Sequence, residues 1–200
     1  MRKYYSLYGR LLNQSVLLGG FKQIKRNQGA AGIDGQSLSM FEKHLDREIA
    51  SLLSELQDKR YQPLPVRRVI IPKPGGGERL LGVPAVRDRV VQQALRNLLE
   101  PIFDVDFHPS SYGYRKGKSA HHGIGKAERF IRDYHLEWVV DMDLSKCFDT
   151  LDHDLIIKQI NKKVTDGSIL QLIRSFLESG VLIGEQFEES EVGSPQGGVI

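Results

Sequence analysis

Asp141 and Asp143 stand two residues apart in the stretch Trp138-Val139-Val140-Asp141-Met142-Asp143-Leu144-Ser145-Lys146-Cys147-Phe148-Asp149. Carboxylate oxygens are hard donors of the kind Mg²⁺ takes. The run before them is apolar and β-branched, which predicts a strand. In a strand, residues two apart share a face, so Asp141 and Asp143 point the same way. Asp143 then stands at the strand's C-terminal end, where α/β folds expose their ligand sites. A plainer role is that of N-cap for the helical pattern that follows. On this stretch alone the two readings balance.

Three other groups of residues suit phosphate chemistry. Lys73 and Arg79 flank a glycine-rich turn, and triphosphate oxygens are held by cations, Arg in a bidentate manner. A surface hairpin with a solvated tip explains the same residues. Gly29, Gly32 and Gly35 mark a loop whose backbone is able to approach a ligand closely, or an ordinary connection between helices. Gly113, Gly117, Lys118 and Ser119 imitate a P-loop, but with three residues between the glycines instead of four and no strand before them, so an NTPase is excluded. Tyr112 and Tyr114 beside Arg115 suit sugar or base packing. His121 and His122 are adjacent and diverge on a helix, which disfavours zinc.

The elements that must position these groups follow from periodicity. Residues 4–26 have helical spacing (Leu7, Leu11, Val16, Leu17, Phe21, Ile24), with a break expected at Gly19-Gly20. Ser39, with Glu42 as a capping box, is expected to start a helix running to about Lys59. Val66 to Ile71 and Arg79 to Val83 read as the two strands of a hairpin. Helices are expected between Pro84 and Phe107, from Ala120 to Asp133, from Leu151 to Lys163 and from Gly167 to Ser179. A short hairpin is expected over Val181 to Phe187. This is an α/β chain: a mixed or antiparallel sheet with helices on one face. Its expected divisions are 1–62, 63–135 and 136–200.

The 200 residues are 40% hydrophobic and 26% charged, as in ordinary globular proteins. The single cysteine, Cys147, excludes an internal disulfide and suits a reducing compartment. With no apolar run of membrane-spanning length and a poor signal-peptide core, the expected location is cytoplasmic. Net charge is +3 but uneven: residues 60–130 hold 13 Lys/Arg against 6 Asp/Glu, and residues 131–200 hold 6 against 13. A basic surface for a polyanion beside an acidic one would produce this, as would two solvated faces.

Asp143-Leu144-Ser145-Lys146-Cys147-Phe148-Asp149, with His153 soon after, resembles the first catalytic box of group II intron-encoded reverse transcriptases (maturases). Ile71-Pro72-Lys73-Pro74-Gly75-Gly76-Gly77 with Arg79, Leu81, Gly82 and Pro84 resembles that family's fingers box. Residues 27–35 resemble its N-terminal extension, and Ser111 to His121 its second box. Gly193-Ser194-Pro195-Gln196-Gly197 resembles its Gly-x-Pro-Gln-Gly box.

The resemblance implies an RNA-directed DNA polymerase made of fingers and the first half of a palm, working with two Mg²⁺ ions. It implies Asp143 and the Leu144 carbonyl as metal ligands, with Asp141 a further candidate. It implies Lys73 and Arg79 on the triphosphate, Phe148 under the sugar, and Gln196 at the nucleotide. Gly29, Gly32, Gly35, Arg67, Tyr112, Tyr114, Arg115 and Lys118 are expected to contact nucleic acid. The implied partners are an RNA template and primer, deoxynucleoside triphosphates and an intron RNA. A half-palm is expected to self-associate through exposed apolar surface. The family's aromatic-x-Asp-Asp turn does not occur in these residues, so weak or absent polymerisation is expected of the chain alone. A non-catalytic RNA-binding fragment is the alternative, as is a related reverse transcriptase serving diversity generation or phage defence.

Overall fold

The computed structural model describes residues 3–72, 75–184 and 186–194. It divides into two compact units, one from Met1–Leu98 with Lys146–Ile200 and the other Leu99–Ser145. Eight α-helices, two short 3₁₀ turns and four strands are present among the described residues, so the mixed α/β class expected from the sequence holds.

The first unit begins with α1 (Tyr8–Leu11) and α2 (Gln14–Arg26). The helix break falls at Leu12-Asn13, where the Asn13 side chain accepts from Ser15 N, and not at Gly19-Gly20 as expected. Gly20 serves packing instead. A Cβ there would lie 2.8 Å from Val90 O, so the glycine lets two helix backbones approach closely. The expected single helix after Ser39 is likewise two: α3 (Leu38–Lys43) and α4 (Leu45–Gln57), divided at His44. Its cap is Ser37, which accepts from Met40 N, and Glu42 pairs with Lys25 rather than closing a capping box. Phe21 and Phe41 stack with ring centroids 5.4 Å apart, and both are buried with Leu17, Ile49 and Leu56.

β1 (Val66–Pro72) and β2 (Glu78–Val83) form the expected antiparallel hairpin, in register from Arg67↔Val83 to Pro72↔Glu78. α5 (Val86–Phe103) follows, burying Val86, Val90, Val91, Ala94 and Leu95. The chain returns to this unit through α7 (His153–Asn161), α8 (Gly167–Leu177), β3 (Val181–Ile183) and β4 (Gln186–Glu188); α6 (Ala120–Tyr134) belongs to the other unit. β3 pairs antiparallel with β4 and parallel with β1, through Val66↔Val181 and Arg67↔Leu182, which gives the mixed order β2-β1-β3-β4. The N-terminal segment is tied to the same region. Tyr4 bridges Val164, and Tyr8 N donates to Asp166 Oδ2 at 2.8 Å.

One expected element is missing. Residues 136–144 have no regular secondary structure, and Trp138 is 92% exposed, with Val139, Val140, Met142 and Leu144 also exposed. A strand is defined by its ladder, and none of the four strands pairs with this run. Among the described residues this apolar run has no strand to pair with.

Candidate nucleotide and nucleic-acid site

The first unit brings the hairpin and the Cys147–Thr150 turn to one cleft of about 250 Å³. Arg68, Leu80 and Gly82 line it from the hairpin, and Asp149, Gly193 and Ser194 from the other side. Strand alternation explains how Arg68 comes to be there. Its neighbour Arg67 turns to the opposite side and donates through Nη2 to Ala31 O at 2.8 Å. Arg68 lies 3.6 Å from Glu188 of β4. Arg79, opposite Ile71 in the hairpin, is exposed near its tip. Lys73 and Gln196 lie outside the described residues.

Phe148 sits half exposed in a 3₁₀ turn, Cys147–Thr150. Its carbonyl accepts from Ser194 N at 2.7 Å, and Leu151 O accepts from Gly193 N at 2.7 Å. His153, 5% exposed at the start of α7, donates from Nε2 to Gly193 O at 2.7 Å. Gly193 has φ +85°, and a Cβ on it would meet Asp149 O at 2.9 Å. Two motifs 40 residues apart in the chain are thus one clip. Asp149, His153 and Arg68 did not stand out in the sequence as site residues. His153 and Asp149 were visible beside the acidic box, but only the fold shows what they touch.

The 27–35 loop is pinned from within the protein. Arg89 is 7% exposed and donates from Nη2 to Ala30 O at 2.7 Å. Burial holds its pKa below the usual arginine value. A Cβ on Gly29 would fall 2.0 Å from Arg89 Nη1, and one on Gly32 2.5 Å from Ala85 Cα. The close approach these two glycines permit is to Arg89 and to the residue before α5. Gly35, at φ +67°, faces open space.

In the second unit, Arg115 organises its own loop. Nε donates to Asp104 Oδ1 at 2.7 Å, Nη1 to His108 O at 3.0 Å and Ser111 O at 3.2 Å, and Nη2 to Asp104 O at 3.2 Å. The hydrogen bond from Arg115 holds the Asp104 carboxyl below the usual range. The guanidinium is thereby committed to folding the segment that carries Tyr112, Tyr114 and Lys118. Lys118 Nζ stands 5.8 Å from the Tyr112 ring centre, and Tyr114 is 88% exposed.

Arg115→Ala is expected to release this loop, since one methyl replaces donors to four acceptors. Arg115→Lys is not expected to rescue it, because an ammonium lacks the planar fork. The amide resonances of Ser111 and Lys118, now bonded to His108 O and Arg115 O, should move to random-coil positions in both variants. A lowered folded-state pKa stabilises above the unfolded value and loses that effect as pH falls through the folded one. The wild-type loop should therefore stay ordered through the ordinary carboxylate range and loosen only below it. Unchanged Ser111 and Lys118 shifts in Arg115→Ala would contradict this assignment.

Asp141, Asp143 and Leu144 belong to the second unit and are exposed. They offer hard oxygen donors, but among the described residues no three His, Cys, Asp or Glu converge as a metal site. The donors fit Mg²⁺ in kind and fall short in number.

Residues 71–200 match the family model described as reverse transcriptase (RNA-dependent DNA polymerase). The chain belongs to the reverse transcriptase family. It is 38% identical to protein YkfC of Escherichia coli (strain K12) over 96% of this chain and 52% of that protein. It is 33% identical to the group II intron-encoded protein LtrA of Lactococcus lactis subsp. cremoris, over 97% of this chain and 32% of that protein. An uncharacterized 91 kDa protein in the cob intron of Schizosaccharomyces pombe is 30% identical over 95% of this chain and 23% of its own length. The chain thus spans between about a quarter and about half of these relatives. The resemblance to intron-encoded reverse transcriptases is borne out by these matches.

Proposed function

We propose that the protein is an RNA-directed DNA polymerase of the group II intron kind, of which this chain supplies the fingers and the nucleotide-facing part of the palm. The observation that carries this reading is the cleft where the fingers hairpin meets the Phe148 turn and the Gly193 clip. The reaction is in-line attack of a primer 3′-hydroxyl on the α-phosphorus of a deoxynucleoside triphosphate, with pyrophosphate leaving. Lys73 and Arg79 hold the triphosphate, Phe148 stands under the sugar and excludes a 2′-hydroxyl, and Gln196 meets the sugar edge. Asp143 and the Leu144 carbonyl, with Asp141 beside them, would hold Mg²⁺, which neutralises phosphate charge when bound.

Gly35, Arg67, Tyr112, Tyr114 and Lys118 face template or primer. Gly29, Gly32 and Arg115 act on nucleic acid through the loops they shape. The relatives' names support an intron RNA as the partner, and self-association and a cytoplasmic location belong to the same reading. Among the described residues, no helix is long and apolar enough to cross a membrane.

The test is binding of a fluorescent deoxynucleotide to the 200-residue chain with an RNA template, a DNA primer and Mg²⁺. Arg79→Ala should weaken binding about tenfold or more, as loss of a charge-assisted contact does. Asp143→Ala should abolish its Mg²⁺ dependence. RNA affinity without Mg²⁺-dependent nucleotide binding, indifferent to Asp143→Ala, would instead support a non-catalytic RNA-binding protein. Primer extension by the 200-residue chain should be slight, because no three acids converge as a metal site among the described residues.

A further inference from the structure

We propose that one face of α6, in the Leu99–Ser145 unit, is a docking track for single-stranded RNA. This extends the nucleic-acid reading above and shares Tyr112 and Lys118 with it; Arg129 and Tyr134 belong to the track alone. A cleft of about 850 Å³ runs along the helix, lined by Lys118, His121, His122, Lys126, Arg129 and Tyr134. Within α6, His122, Lys126 and Tyr134 lie on one ridge, and Lys118 stands in the turn just before the helix. His121 and Arg129 lie on the adjacent ridge.

The charge of this face is one-sided. No acid lines the cleft. Of the acids on α6, Asp133 is engaged by Arg132 at 3.0 Å, and Glu128 does not line the cleft. Arg129 makes no hydrogen bond or ion pair among the described residues. The acids of α6 fall outside the cleft, whereas Lys118, Lys126 (which also donates to Ser110 Oγ) and Arg129 all line it.

The rings decide what kind of polyanion fits. Tyr134 is 64% exposed and meets Phe130 edge to face, with centroids 5.9 Å apart. Lys126 Nζ stands 5.5 Å from the Phe130 ring centre, beside the Lys118–Tyr112 pair. Cations beside exposed rings are what a single strand needs, phosphates going to the first and bases to the second. An acidic polypeptide would use the cations and leave the rings idle. The imidazoles of His121 and His122 add ring nitrogens able to hydrogen-bond a 2′-hydroxyl, which DNA lacks.

The test is fluorescence anisotropy of a labelled uridine dodecamer with the 200-residue chain across a KCl series. Far-UV circular dichroism would check the fold of each variant. Arg129→Gln should weaken binding about tenfold and lower the salt slope by about one. Tyr134→Leu should weaken it about fivefold or more with the slope unchanged, as loss of a stacking platform does. The exposed Lys158→Gln is the control and should alter neither.

A DNA dodecamer should bind more weakly; equal affinity would overturn the choice of RNA. Competition by polyglutamate with the same Arg129 dependence, and no effect of Tyr134→Leu, would assign the face to an acidic protein and overturn the proposal. Unaltered affinity and slope in both variants, with RNA still bound, would overturn the track while leaving the nucleotide site intact. In that case the Arg79 and Asp143 variants still report on the polymerase reading.

Discussion

Gly193→Ala is expected to disable the clip that joins the Phe148 turn to Gly193-Ser194. Two costs act at once. The residue has φ +85°, where an L side chain costs about 1–2 kcal/mol. Its Cβ would also stand 2.9 Å from Asp149 O and 3.0 Å from Phe148 O, contacts against backbone that cannot swing aside. Overpacking of that kind costs about 1–3 kcal/mol, so the local penalty is about 3 kcal/mol in all. The segment would relieve it by moving away. It would then lose the hydrogen bonds from Gly193 N to Leu151 O, from Ser194 N to Phe148 O and from His153 to Gly193 O.

Phe148 and the Gly193-Ser194 segment would no longer be held together. Deoxynucleotide affinity should fall about tenfold or more, a larger effect than the few degrees lost in thermal midpoint. His153→Ala should reproduce a weaker form, since it leaves one buried carbonyl unpartnered at about 1–3 kcal/mol. Hydrogen exchange at the Gly193 and Ser194 amides checks the cause. Protection equal to wild type in Gly193→Ala would show that the clip does not depend on this glycine.

Asp88→Ala should be the most destabilising change away from the site. Asp88 is 1% exposed. Its Oδ1 accepts from the Tyr61 hydroxyl at 2.6 Å and its Oδ2 from Leu64 N at 3.0 Å, and Arg87 Nε lies 3.6 Å away. This carboxylate joins the Pro63-Leu64-Pro65 linker to α5 and so fixes where β1 begins. Alanine leaves two buried donors unmet, at about 1–3 kcal/mol each. A total near 4 kcal/mol would lower the midpoint of a chain this size by roughly 8–16 °C. Asp88→Asn should be mild. Its carbonyl can serve Leu64 N while its amide donates to the Tyr61 oxygen, because a phenol both gives and accepts.

Burial raises the Asp88 pKa above its ordinary value, against the lowering effect of its hydrogen bonds. A raised folded-state pKa means the native protein binds its proton more tightly. The stability contribution is then full below the ordinary carboxylate pKa and is lost as pH rises toward the raised value. Asp88→Asn should remove that slope with little loss of midpoint. A midpoint for Asp88→Ala within a degree or two of wild type would mean that the linker is held by other contacts.

Much of this protein was legible in the sequence because the signals were local. The β1–β2 hairpin, α6, α7 and α8 were visible as periodic apolar runs bounded by turn residues. The family was visible too, since its boxes are short and ordered. Where local signals competed, the reading slipped. Gly19-Gly20 suggests a break, yet the closeness of α5 keeps α2 whole. Ser39 suggests a cap, yet Ser37 supplies it. The run Trp138 to Asp143 reads as a strand and lacks one, because a ladder needs a second strand and periodicity cannot supply it.

The sequence by itself determined the class, the boxes and the chemistry they can perform, since residue types and short spacings carry those. Only the tertiary structure decided what touches what. It alone places β3 beside β1 and His153 on Gly193, shows Arg115 holding its loop, and shows Gly29 and Gly32 meeting Arg89 and Ala85. Each of these joins residues through space rather than along the chain, or settles which of several equal-looking donors reaches an acceptor. Such contacts depend on the packing of whole elements, and no local pattern of side chains encodes that.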